Sequence, residues 1–392
     1  MTRLAAGLAL LVGAGTASAD PLRLRGDALA SAESPAGLLV LDAAGTTGSA
    51  ISAEALVWMA AQRSPGDDVT GDVLVIALKA RDPKGRASGQ IGRFVSALGA
   101  LRPLQIDGAG GRVRLPWHFD VEAMAGVPVL ATSVDASRSW DWVAGGRIAQ
   151  RIGDGGSIGI AYQQERDDGR LAREEVGADA GIAFDARHDA GARVAYDIAG
   201  KGLAEAAVTA SARRGPLRAE IFASQRSAAH LLPATSLFTV LGDTPAQRLG
   251  TVLTWRAAPR LDVVADLGAR RASDDVGEDV ALRTRLRLDP TGRSSLGCEL
   301  HRSGGASDAA WTGVRGSGSL ALPHSFGLLA EVEVVRPDED RGRGALWPWM
   351  LLAATRKTAA WDAAIAFEAS ATPEYRHRVD AILQLSRTWS VR

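Results

Sequence analysis

The strongest constraint on this chain is a two-residue rhythm. In residues 279–289, DVALRTRLRLD, the residues Val280, Leu282, Leu286 and Leu288 occupy alternate positions, and Arg283, Arg285 and Arg287 lie between them. An extended strand sends these two sets to opposite faces, whereas a helix, turning about 100° per residue, would mix them. The same separation recurs elsewhere. Trp140, Trp142, Ala144, Ile148 and Ile152 alternate with Asp141, Arg147 and Arg151, and Val176, Ala178, Ala180, Ile182 and Phe184 oppose Asp179 and two glycines. Leu261, Val263, Ala265 and Leu267 oppose Asp262, Asp266 and Arg270, and Trp361, Ala363, Ile365 and Phe367 oppose Asp362 and Glu368.

Roughly twenty such segments follow one another, bounded by Gly, Pro and Asp turns, so the chain reads as all-β. Tight turns such as Gly153-Asp154-Gly155-Gly156 alternate with longer polar stretches such as 166–175, 271–278 and 336–344. Short turns on one side and long loops on the other are the rhythm of a transmembrane barrel. No linker or composition shift divides the chain, which predicts a single domain.

Residues 1–19 have the three parts of a secretory signal: basic Arg3, an apolar run from Leu4 to Val12, and Ala17-Ser18-Ala19 before Asp20. Cleavage is expected after Ala19, leaving residues 20–392 as the mature barrel. No later stretch is long and apolar enough for a spanning helix of about 20 residues. Cys298 is the single cysteine, so no disulfide can form within the chain.

Alternation alone does not separate a lipid-facing wall from a sheet on a soluble core. A secreted sandwich, however, uses too few strands for this much chain. The tryptophans Trp140, Trp142, Trp255, Trp347, Trp361 and Trp389 fall near strand ends on the apolar parity, as interface girdles require. The other parity carries both signs of charge: Arg147, Asp179, Glu220, Asp262, Asp266, Arg283, Arg285, Arg287, Glu299, Glu331 and Glu333. A wet lumen lets these satisfy one another, while an outward Arg at mid-membrane costs about 2–4 kcal/mol. The last strand, 376–392, ends in Arg392 where such barrels place an aromatic, with Trp389 nearby. At about twenty residues per strand and connection, the expectation is a single antiparallel barrel of about 18 strands, within 16 to 20.

Enzyme motifs are not visible. The sequence lacks HExxH, GxSxG and a nucleotide-binding glycine pattern in context, and its 6 histidines are scattered without ligand spacing. The expectation is therefore no enzyme, no cofactor and no metal. Acidic pairs such as Asp67-Asp68 and Asp274-Asp275 read as solvated loops. With 45 basic and 45 acidic residues, no basic surface for nucleic acid is indicated. Leu231–Thr244 breaks the alternation and reads as an ordered loop over the barrel mouth, the alternatives being an inward constriction or plug and a rim packing on a partner.

Residues 91–126, with a Gly-Arg turn and Asp107-Gly108 before the next strand, resemble a porin-like strand pair. Residues 237–270, with Pro259 at the turn, resemble its downstream loop and hairpin. Together they are similar to outer-membrane β-barrels associated with polysaccharide export or surface machinery in gliding bacteria. The resemblance implies a conduit for a polar polymer such as exopolysaccharide, working with a periplasmic polysaccharide-export protein, and bedded in outer-membrane lipid and lipopolysaccharide. The alternative is a structural or anchoring barrel of an envelope machine, without an open pore.

Overall fold

A computed structural model describes residues 22–31, 36–47, 50–62, 69–129, 141–227, 246–272, 275–305, 310–339, 346–371 and 378–391. The expected signal, Trp140, Asp67-Asp68, Asp274 and the 231–244 segment lie outside the described residues. Alternation over this length yields strands throughout, twenty-two of them in one sheet.

The first hairpins are β1 (Leu22–Ser31), β2 (Ala36–Thr47), β3 (Ile51–Gln62) and β4 (Val69–Arg81). Next come β5 (Ala87–Ser96), β6 (Leu104–Arg114), β7 (Phe119–Pro128), β8 (Trp142–Ile152), β9 (Gly156–Asp167) and β10 (Arg170–Ala183). The middle holds β11 (His188–Asp197), β12 (Gly202–Arg214), β13 (Leu217–Arg226), β14 (Ala246–Ala258), β15 (Leu261–Ala272) and β16 (Asp275–Arg287). The last are β17 (Ser295–Ser303), β18 (Trp311–Leu322), β19 (Phe326–Pro337), β20 (Trp347–Lys357), β21 (Trp361–Ser370) and β22 (Arg378–Val391).

Each strand pairs antiparallel with its sequence neighbour, and β1 pairs with β22 from Leu22↔Val391 to Ser31↔Ile382. The sheet is therefore a closed barrel without free long edges. The expected 16 to 20 strands is corrected to 22. Connections on the side of the chain ends span only two to seven residues, so one strand with its connection takes about seventeen residues rather than twenty. On the other side, connections reach thirteen (129–141) and nineteen residues (227–245). In outer-membrane barrels short turns mark the periplasmic rim and long connections the outer one.

The register fixes which way each residue points. In β16, Leu282 and Leu286 face outward and are 45% and 42% exposed, opposite Leu300 and Leu296 of β17. Arg283, Arg285 and Arg287 face the interior. With strands about 4.8 Å apart and tilted by about 40°, twenty-two of them make a circular ring about 44 Å across. No single layer of side chains fills such a bore. Buried apolar side chains form a cluster on one arc: Phe94, Leu98, Leu101, Ile106, Met124 and Val143, with alanines of β4, β9, β11 and β12.

Candidate functional site: an inward loop facing a tryptophan strip

The one-sided cluster is built by residues 97–103, ALGALRP, which join β5 to β6. Leu98 packs on Gly145 of β8, where an added Cβ would meet its Cδ1 at 2.8 Å. Leu101 packs likewise on Gly177 of β10, again at 2.8 Å. Gly99, with φ +57°, crosses the Arg147–Asp179 pair so closely that a Cβ there would lie 2.2 Å from Asp179 Oδ1. Only glycine meets both demands at once.

From β6 to β10 is four strand spacings, about 19 Å along the wall. A seven-residue loop that doubles back reaches only about 12 Å. The tip of the β5–β6 hairpin must therefore lean into the lumen, carrying its loop over β8–β10.

Charge fastens the loop where it lands. Arg102 donates from Nη2 to Glu165 Oε2 at 2.6 Å and lies 3.9 Å from Glu175, which Arg173 approaches to 3.2 Å. Glu165, Arg173, Glu175, Asp197 and Gln163 are all buried, with Glu175 only 1% exposed. Burial, with the neighbouring Arg173, pulls the Arg102 guanidinium down to about 10 against the opposing pull of Glu165 and Glu175. It stays charged at neutral pH.

Nearly opposite, ten strands round the ring, an aromatic strip faces the lumen. Trp311 stacks edge-on with His301 at 4.7 Å between ring centroids. Trp347 lies opposite Val335, and Trp349 opposite Glu333. The Trp349 indole donates Nε1–H to Glu368 at 2.8 Å, and Arg315 lies 5.4 Å from its ring centre. Arg315 also pairs with Glu331.

Trp347 is therefore a correction: expected at the lipid interface, it points inward. WPWMLL is apolar on both parities, so the rhythm is ambiguous there. Pairing with β19, where Glu331 and Glu333 take the lumen side, decides the facing. Trp142, Trp255, Trp361 and Trp389 sit on the outer parity near strand ends, 37–49% exposed.

The other residues singled out from the sequence fall on the inner parity. Arg147 bonds Asp179 at 2.6 and 3.0 Å and Glu122 at 3.1 Å. Arg283 pairs with Glu299 at 3.2 Å, Arg287 pairs with Asp262, and Arg285 faces Asp262 in register. Asp266 lies nearer Arg248, at 3.8 Å, and Glu220 pairs with Arg218 along its own strand at 3.2 Å. Glu333 faces Arg315 in register.

Sequence reasoning missed the loop cluster of Arg102, Glu165, Arg173 and Glu175, and also Trp311 and Trp349. The signal was present as two leucines and an arginine in a hairpin loop that solvent would not hold. Among the described residues, no group of three or more His, Cys, Asp or Glu side chains is placed to hold a metal ion.

Among solved structures, the P pilus usher (PapC) translocation pore is similar with a TM-score of 0.55 at 8% identity, covering 95% of this chain and 100% of that one. The copper transporter OprC gives 0.58 at 12%, covering 94% and 81%. The siderophore receptor PirA from Pseudomonas aeruginosa gives 0.58 at 8%, covering 94% and 80%. No family model matches the sequence, and no curated protein matches it. The shared property is the fold, an outer-membrane β-barrel, which supports placement in the outer membrane.

Proposed function

We propose that the chain is an outer-membrane channel for a hydrated polar polymer, and that the polymer is a polysaccharide. The observation that carries this is the lumen strip of Trp311, Trp347 and Trp349 among Glu331, Glu333 and Glu368. Indole faces take the apolar faces of sugar rings, while carboxylates accept hydrogen bonds from hydroxyls. The rest of the wall, lined by paired Arg, Asp and Glu, favours hydrated solutes over apolar ones. The leaning hairpin narrows the bore from the opposite side and brings a passing chain toward the strip.

On this reading, a periplasmic polysaccharide-export protein delivers the polymer at the rim of short turns, and lipid and lipopolysaccharide bed the outer wall. The test is current blockade. Purified barrel in planar bilayers should show transient interruptions on adding a soluble oligosaccharide, and Trp349→Ala with Trp311→Ala should shorten each one at least threefold. Interruptions unchanged by the double variant would remove the strip from the account.

A further inference from the structure

The ladder between β4 and β5 is the shortest in the barrel. It runs only from Ile76↔Arg93 to Arg81↔Ser88. Above it, residues 69–73 and 75 continue to pair with β3, with Leu74 bulged between them, and β5 continues to pair with β6. Among the described residues, the upper edge of β4 has no backbone partner on the β5 side. This is the seam left when the β5–β6 hairpin leans inward.

A bare strand edge facing lipid is costly, because each unpaired amide there forfeits several kcal/mol. Side chains take the place of the missing strand. Asp72 accepts from the Val73 N–H at 2.7 Å, and Arg93 donates to the Val73 carbonyl at 2.8 Å. Gln105 donates to the Leu74 carbonyl at 2.5 Å. Arg93 also binds Asp107 through two bonds of 2.7 and 2.8 Å, and Asp72 at 3.1 Å. Unlike a ladder, this latch opens by rotating a few side chains.

The latch side chains Arg93, Gln105 and Asp107 lie on the outward parity with Ile76 and Val95, and apolar side chains flank them on both sides of the wall. Outside are Leu74, Ile76 and Val95, the last 57% exposed; inside, Val75 and Leu104 pack on Phe94 and Ile106. At the seam, these apolar side chains lead past the latch from the outer face to the lumen cluster.

We propose that the β4–β5 seam is a lateral portal, latched by Asp72, Arg93, Gln105 and Asp107, that admits the acyl chain of a membrane amphiphile to the cluster beneath the leaning hairpin. This goes beyond the polar channel, and its test reads lipid contact rather than current, so the two readings stand or fall separately.

The experiment reconstitutes the barrel in liposomes containing a diazirine-bearing fatty acid or, in a second arm, a diazirine-bearing phospholipid, and maps adducts by mass spectrometry. Adducts at inward Phe94 and Ile106 are expected with at least one probe, rising several-fold in Arg93→Ala. The two arms tell whether one chain or two is admitted. In a Cys298→Ser background, Leu74→Cys and Gln105→Cys joined by a short cleavable bis-maleimide should abolish the inward adducts, and cleaving the bridge should restore them. Adducts at outward Ile365 and Leu253 serve as the constant reference. Because bridged and cleaved forms are the same folded protein, the comparison survives a folding defect in Arg93→Ala. Adducts confined to outward residues with both probes, or inward adducts indifferent to the bridge, would overturn the proposal.

Discussion

The buried cluster under the inward loop sets a quantitative expectation for Arg102→Ala. The side chains of Arg102, Glu165 and Glu175 are 10%, 8% and 1% exposed, so solvent screens them little. Truncating one partner of a buried pair leaves uncompensated charge and costs about 3–5 kcal/mol. Loop release lets water reach those carboxylates, so the cost falls on the docked state. Even the lower figure shifts docking more than a hundredfold, at about 1.4 kcal/mol per factor of ten.

The assay is the rate at which a membrane-impermeant maleimide modifies Leu98→Cys in a Cys298→Ser background. Arg102→Ala should raise that rate by about a hundredfold. Arg102→Met combined with Glu165→Gln should bring it back toward the parent, because replacing both partners of a buried pair is nearly neutral and Arg173 still serves Glu175. A rate within twofold of the parent in Arg102→Ala would refute the view that this cluster fastens the loop.

Further outcomes follow from the facing of the wall and from one turn. Leu286→Arg puts a charge into lipid at about 2–4 kcal/mol and should impair insertion, scored by heat-modifiable gel migration, while Arg285→Ala should leave the barrel folded. Equal defects would contradict the assigned faces. In the turn after β16, the Thr291 hydroxyl and the Ser294 and Arg293 N–H groups hold the Asp289 carboxyl well below its usual range. Its folded pKa lies below its unfolded one, so its stabilisation is complete above about pH 4 and fades as pH falls further. Thermal melts should show Asp289→Asn destabilised at pH 7 and converging with the parent under strong acid.

Period two made most of the wall legible, since DVALRTRLRLD declares its faces without knowledge of any neighbour. The alternation failed where both parities are apolar, at WPWMLL, because facing is decided there by the glutamates of β19. The strand number slipped for a related reason: the rhythm shows strands but not how little chain a two-residue turn consumes. The inward loop was invisible as a loop. Its meaning depends on Gly145 and Gly177, more than forty residues further along the chain, leaving room for two leucines, and a local pattern carries no record of such distant partners. The charged parity was legible as a set, whereas its pairing, Arg147 with Asp179 or Arg283 with Glu299, required the register.

The central claim is a water-filled bore narrowed from one side by a fastened hairpin. Single-channel recording of the purified barrel in planar bilayers tests it most directly. Discrete conductance steps are predicted, with a larger unit step in Arg102→Ala as the loop is released into the widened bore. Absence of any current, persisting after residues 97–103 are replaced by a short glycine-serine turn, would contradict it.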